Sequence, residues 1–399
     1  MTADTNKTSL SVHGVPVVDI DSHYTEPADL WTSRASGKYK SLVPRVEQRS
    51  GAPRWIVDQD IDFGPLGFTV VKEDGSKAYG TIGLTTYEEM DAAATYPKAR
   101  LKLLDRLGIS QQIVYPNVVG FGSNRFMGIS DKQLRSVCAE VYNDALIELQ
   151  SEGENRLFPQ AVVPFWDVNE AVKEIERVCG DGKLKGITMT DSPDQFGQPF
   201  LNDPYWDPFW DTCVQLGIPV NFHIGSSSTS MGNMLWSGYG PERSLAITSI
   251  ALFLGNFKVI TNLIFSGLLE RYPSLNFVSV ESGIGWIPFL LEAMDYQFQE
   301  TVPTEREFLK MKPSDYFKRQ IKASFWFEDF GPRAAIETIG EDSVMFETDF
   351  PHPTCLYFFK SVHHLFARVI KHVSTICTPP NNRVRAVGQL QVRLNRHRK

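Results

Sequence analysis

Four histidines precede residue 353, at positions 13, 23, 223 and 352, and the last three sit at or just past the ends of short apolar runs. D-I-D-S-H carries Asp21 and His23 at positions i and i+2, which in a strand puts both side chains on one face. His223 ends P-V-N-F-H, and Asp349 ends V-M-F-E-T-D. Two imidazoles and two carboxylates form a ligand set for one divalent cation, zinc first and manganese second. Such an ion lowers the pKa of bound water towards about 7 and polarises substrate oxygens, and Asp349 beside it can take up or deliver a proton. Singly these signals are weak, because a strand-end histidine is commonly packed and hydrogen-bonded and a strand-end aspartate commonly caps a helix. Their weight comes from falling on three different strands at the same end.

The positioning elements follow from hydrophobic periodicity. Eight short β-rich runs, 16–23, 111–117, 158–165, 186–190, 219–225, 275–281, 321–328 and 344–350, alternate with helical spacing over 91–107, 131–152, 169–179, 205–216, 243–254, 285–299 and 332–339. That alternation predicts an α/β fold, a (β/α)8 TIM barrel, whose strands converge their C-terminal ends on one face. The glycine-rich phosphate loop of an open doubly wound sheet is missing after the first run, where D-S-H-Y-T-E-P stands. The interval 24–110 reads as an insertion after the first strand, over the barrel mouth; it contains two strand-like pieces, P-R-W-I-V-D-Q-D-I-D-F and T-V-V-K-E-D-G-S-K. The Gly-, Ser- and Met-rich stretch 226–242 reads either as a mobile lid or as an ordinary surface loop. The expected organisation is a tail over 1–15, the barrel over 16–355 and a basic segment over 356–399.

V-V-D-I-D-S-H-Y-T-E-P-A-D-L-W, L-G-I-P-V-N-F-H-I-G, R-Y-P-S-L-N-F-V-S-V-E-S-G-I-G-W-I-P and F-E-T-D-F-P-H-P together resemble the amidohydrolase-related family. The likeness covers residues 17–354 and is to the branch of aminocarboxymuconate-semialdehyde decarboxylase and γ-resorcylate decarboxylase. It implies that Asp21 and His23 stand where the family has its strand-one metal pair, that His223 is the strand-five metal histidine, and that Asp349 is ligand, acid and base. Two departures stand out. The strand-six histidine of the named decarboxylases is Glu281 here, which makes it a ligand, a proton shuttle or an orienter of the ligands. Lys185 precedes the fourth strand instead of ending it, which disfavours a metal-bridging carbamylated lysine and favours one ion over two.

The expected activity is non-oxidative decarboxylation of a small-molecule substrate, a hydroxylated aromatic or muconate-like acid. The alternatives are hydrolysis of an amide, ester, lactone or C–C bond on the same ligands, and a non-catalytic or misfolded barrel. Arg125 could clamp a carboxylate. Trp236, Trp286, Trp326 and Phe327 could wall an aromatic pocket, and His352, three residues past Asp349, could orient substrate or bond to the metal ligands. Each aromatic serves equally as core.

Composition narrows the class. Of 399 residues 42% are apolar and 22% charged, the balance of a globular protein with a large core, not of a disordered or fibrous chain. Five scattered cysteines without a C-x-x-C pair point to reduced thiols. The apolar stretch 249–269 is interrupted by Asn256, Lys258 and Asn262, which predicts no membrane span, and the N-terminus has no secretion pattern, so the expected location is cytoplasmic. No Asp or Glu follows Asp349, while nine Lys and Arg do. That basic tail matches no nucleic-acid motif, so no nucleic-acid partner is expected. A change of reading frame near Tyr357 would explain both the charge reversal and the end of the resemblance. A homodimer is what the family implies.

Overall fold

The computed structural model describes residues 16–224, 226 and 238–357. Twelve strands occur among them: β1 Val17–Asp19, β2 Arg45–Arg49, β3 Ala52–Val57, β4 Ile61–Pro65, β5 Ile109–Val114, β6 Leu157–Pro159, β7 Ala161–Val162, β8 Ile187–Thr188, β9 Val220–His223, β10 Phe277–Val280, β11 Ile321–Phe325 and β12 Val344–Phe346. The α-helices are α1 Pro97–Leu107, α2 Lys132–Glu152, α3 Val168–Cys179, α4 Asp207–Leu216, α5 Pro241–Leu252, α6 Leu254–Phe265, α7 Leu268–Arg271, α8 Ile287–Glu300, α9 Pro313–Gln320 and α10 Gly331–Ile339. Each predicted run meets a strand and each predicted helix is present.

β1, β5 and β6 form one parallel sheet and β7 to β12 a second, ordered β12-β11-β10-β9-β8-β7. Hydrogen bonds run on between them at both edges. β6 and β7 are one run divided at Gln160, whose N–H donates to Val114 O at 2.9 Å, while the Ala161 N–H donates to Gly186 O at 3.0 Å. At the other edge the Ile20 N–H donates to Phe346 O and the Asp349 N–H to Asp21 O, both at 3.0 Å, and Ser22 bridges Phe350 in parallel. These bonds place the ends of β1 and β12 side by side, which brings Asp21 to Asp349 across 328 residues of sequence.

Local chemistry sets the helix ends. The Asp131 carboxylate accepts the N–H groups of Gln133 and Leu134 at the start of α2, as Asp167 does for Asn169 and Glu170 at the start of α3. Periodicity had missed α6. Its buried residues, Asn256, Val259, Ile260, Leu263 and Ile264, follow helical spacing, but its exposed side carries Leu254, 61% exposed, so the contrast between its two faces is weak. Pro241–Phe265, spanning α5 and α6, is long and apolar enough to cross a membrane by length and composition. Here α6 lies against the strands, with the buried Asn256 amide donating to Phe222 O at 2.9 Å and Ser279 Oγ at 3.0 Å.

Between β1 and β5 the chain builds an antiparallel sheet, β2-β3-β4. The first strand-like piece of that interval is a hairpin and not one strand: β3 turns at Asp58, which adopts φ 55, and returns as β4. The second piece makes only the isolated bridges Val71–Lys77 and Lys72–Met90. This segment reaches the strand ends, because the Val70 N–H donates to Pro351 O at 3.0 Å.

Glu26 ties the exit of β1 to that of β5. Its Oε1 accepts the N–H groups of Asn117 and Val118, both at 3.0 Å, and the Tyr142 hydroxyl at 2.7 Å, while Oε2 has no partner among the described residues. Burial pushes this carboxyl up to about 6 from 4.5. The folded protein therefore holds the proton more tightly than the unfolded chain. That stabilisation is complete below pH 4.5 and lost as pH rises through 6, about 2 kcal/mol in all. Glu26→Gln keeps an acceptor for the three donors, and its urea-unfolding free energy is expected to lose this slope between pH 4.5 and 6.

Candidate metal centre

Asp21, His23, His223 and Glu281 each present a ligand atom within 4.8 Å of the others, as do His23, Glu281, Asp349 and His352. His23 Nε2 lies 3.5 Å from both Asp21 Oδ1 and Asp349 Oδ1. His223 Nε2 lies 3.4 Å from Asp21 Oδ2 and 3.6 Å from Glu281 Oε2. The other imidazole nitrogens are spoken for: His23 Nδ1 faces Pro116 O and His223 Nδ1 faces Ile224 O, each at 3.0 Å. A carbonyl only accepts, so each Nδ1 carries the proton and each Nε2 turns a lone pair to the centre.

Among the described residues, both oxygens of Asp21, His23 Nε2, His223 Nε2, Asp349 Oδ1 and His352 Nε2 are buried and find no hydrogen-bond partner. Unmet acceptors so close together are costly unless a cation satisfies them. Burial lowers the His223 pKa to about 4 and holds His23 well below its usual value, with His352 and His223 adding to the effect, so these imidazoles are neutral at pH 7. Burial, then the charge of Asp349, raises Asp21 and Glu281 well above the usual carboxylate range. A divalent ion would reverse that, so the donor set fits one.

Glu281 and Asp349, at φ 50 and 58, occupy the left-handed region just past β10 and β12. Non-glycine residues held there cost on the order of 1–3 kcal/mol and cluster at functional sites. The Glu281 N–H donates to Ser324 Oγ and Glu347 Oε2, each at 3.2 Å.

His352 joins the centre: its ring stacks on His23 at 3.5 Å and its Nδ1 lies 3.1 Å from Asp349 Oδ1. Arg125 does not. Its guanidinium donates to Phe63 O in β4 and sits 5.9 Å from the Phe68 ring, and Phe68 in turn packs on His352. Trp286 packs on Phe257 in α6 and donates to Ser282 O, in the helical layer. Trp326 is buried against Phe253, and Phe327 is 56% exposed. Trp236 and most of the 226–242 stretch lie outside the described residues.

Residue type alone had missed the rings that do wall the centre. Phe121 lies 4.2 Å from His223 and 4.9 Å from His23, Tyr115 lies 5.1 Å from His223, and Phe68 lies 6.5 Å from Phe121. Phe121 and Tyr115 fall at the exit of the second predicted run, the same positional signal that picked out His223.

Residues 18–367 match the family described as Amidohydrolase. The chain belongs to that family. The match runs ten residues beyond Tyr357. The chain is 27% identical over 266 residues to a γ-resorcylate decarboxylase from a Rhizobium species, covering 63% of this amidohydrolase and 76% of the relative. An amidohydrolase structure from Mycobacterium avium subsp. paratuberculosis superposes with a TM-score of 0.68 at 20% identity, covering 89% and 94% of the two chains. A 5-carboxyvanillate decarboxylase from Novosphingobium aromaticivorans, crystallised with manganese and 4-hydroxy-3-methoxy-5-nitrobenzoic acid, superposes at 0.57 and 19% identity over 75% and 79%.

Proposed function

We propose that this amidohydrolase is a metal-dependent carboxy-lyase that removes CO2 without oxidation from a hydroxylated aromatic or muconate-like acid. The proposal includes a closed (β/α)8 barrel, with 24–110 as an insertion after its first strand. Asp21, His23, His223 and Asp349 hold one divalent ion, with Glu281 beside them. Manganese, found in a decarboxylase of similar fold, is as good a candidate as zinc. When bound, the ion fixes and polarises the substrate oxygens.

This chain's residues do the rest. Asp349, having taken up a proton from solvent, gives it to the carbon that bears the carboxylate. The new C–H bond forms as the C–C bond breaks, and the electron pair of that bond restores the unsaturated system as CO2 leaves. His352, 3.1 Å from Asp349 Oδ1, orients that carboxyl. Phe121 and Phe68 keep water from the centre and offer their faces to a planar substrate. The observation that carries the reading is the convergence at one point of buried Asp and His atoms that find no partner among the described residues.

The test is a panel of hydroxybenzoic and unsaturated dicarboxylic acids, incubated in H2(18)O with protein of measured metal content. CO2 released in step with substrate loss, with no 18O in the carbon product, is expected. Label in the product without CO2 would make the enzyme a hydrolase. Phe121→Ala is expected to raise KM for an aromatic substrate roughly tenfold, from one lost ring contact of ~1–1.5 kcal/mol, and to leave metal stoichiometry unchanged.

A further inference from the structure

Past β10 the chain runs E-S-G-I-G-W into α8, and past β11 it runs W-F-E-D-F-G into α10. The two loops meet on one side chain, Glu328. Its Oε1 accepts the Ile284 N–H at 2.9 Å and the Gly285 N–H at 2.8 Å, and its Oε2 lies 3.1 Å from the same Ile284 nitrogen. Three glycines make room for this carboxylate. A Cβ on Gly331 would come within 2.6 Å of Oε1, one on Gly285 within 3.3 Å, and one on Gly283, which also has φ 68, within 3.4 Å. Trp286 closes the same loop by donating to Ser282 O at 2.7 Å.

The loop so held begins at Glu281, whose backbone is in the left-handed region and whose Oε2 lies 3.6 Å from His223 Nε2. A strained residue keeps its conformation only if its surroundings impose it. Ser324 and Glu347 hold the Glu281 N–H on one side, and Glu328 holds the chain three and four residues further on. We infer that Glu328 is a positioning residue, whose carboxylate fixes the 281–285 loop so that Glu281 faces His223 at the metal centre. The inference rests on the proposed role of that centre in metal binding, but not on which reaction follows.

The experiment is a double-mutant cycle read as Mn2+ affinity by chelator competition, with turnover and thermal midpoint measured in parallel. Glu328→Ala is expected to weaken Mn2+ binding about tenfold in the parent and less than twofold in the Glu281→Gln background. Glu328→Gln, whose amide oxygen can accept both N–H groups, is expected to stay within about threefold of wild type. Equal losses in both backgrounds, or no loss in the parent, would overturn the inference. If Glu328→Ala does not fold, Glu328→Asp takes its place, because it keeps the charge but draws the carboxylate back from the Ile284 and Gly285 N–H groups, and the same pattern is required. Coupling that persists while no acid releases CO2 would retain the positioning role and reject the decarboxylase assignment.

Discussion

His223→Ala is expected to lose its stoichiometric metal and to drop turnover by at least about a thousandfold, roughly 4 kcal/mol of barrier, while its thermal unfolding stays cooperative. His223 is the shared neighbour of Asp21 and Glu281, 3.4 and 3.6 Å from its Nε2, so removing it opens the middle of the ligand set. Plasma mass spectrometry on protein purified without added metal checks the first part, and CO2 release checks the second. Full metal occupancy in the variant would place the ion elsewhere and remove this centre from the proposal. The pH dependence has a defined sign. Asp21 and Glu281 hold protons well above the usual carboxylate range when no cation is present, so metal must displace them and affinity should climb as pH rises out of the acid range. The imidazoles add little above pH 5, because burial has already lowered His223 to about 4.

The clustering of Asp21, His23, His223 and Asp349 was legible in the sequence because its rule is local. Alternation along a strand puts Asp21 and His23 on one face, and position at a strand's end selects His223 and Asp349 without knowledge of any neighbour. Glu281 became visible only through likeness to a family, since nothing in V-S-V-E-S-G by itself separates a ligand from a surface acid. What stayed hidden depends on contacts between distant segments. Phe68 reaches His352 from between β1 and β5 because Val70 pairs with Pro351, a contact no periodicity encodes. Trp286 and Phe327 have the right composition for a pocket wall, but Trp286 packs on Phe257 and Phe327 is 56% exposed. Glu328 looks like one of many acids in a helix-initiating loop until Ile284 and Gly285 turn their N–H groups on it. The same limit applies to the bracing behind the cluster, which lies in a helix that amphipathicity alone makes ordinary.

That bracing centres on Arg100, in the first turn of α1, and Arg100→Ala is expected to cost about 3–5 kcal/mol of stability. The guanidinium is 3% exposed, and its donors are shared among five acceptors. Nε meets Ala93 O at 2.5 Å, Nη1 meets Gln112 Oε1 at 2.9 Å and Ser22 Oγ at 3.3 Å, and Nη2 meets His23 O at 2.7 Å and Ala94 O at 3.3 Å. Gln112 passes the connection on, donating at 2.7 Å to Asp19 Oδ2, which also takes the Thr348 hydroxyl at 2.6 Å. One cation thus links β1, β5 and the residue before Asp349, and it sits 4.5 Å from the Phe350 ring. Alanine would strand the carbonyls of Ala93 and His23 in the interior, while Ala94 O keeps the Thr25 N–H, and it would remove a positive charge that acts on Asp19, whose pKa burial already raises to about 6. Loss of that charge raises Asp19 further. The folded variant then favours the protonated carboxyl more strongly, so its extra instability should be smallest below pH 3.8 and grow as pH rises through 6 and above. Urea unfolding of wild type and variant at pH 5 and pH 8 measures both effects. A lysine at this position keeps the charge but not the planar fork, so it should recover only part of the loss. Full recovery by lysine would show that charge, and not the shared carbonyl contacts, is what Arg100 supplies.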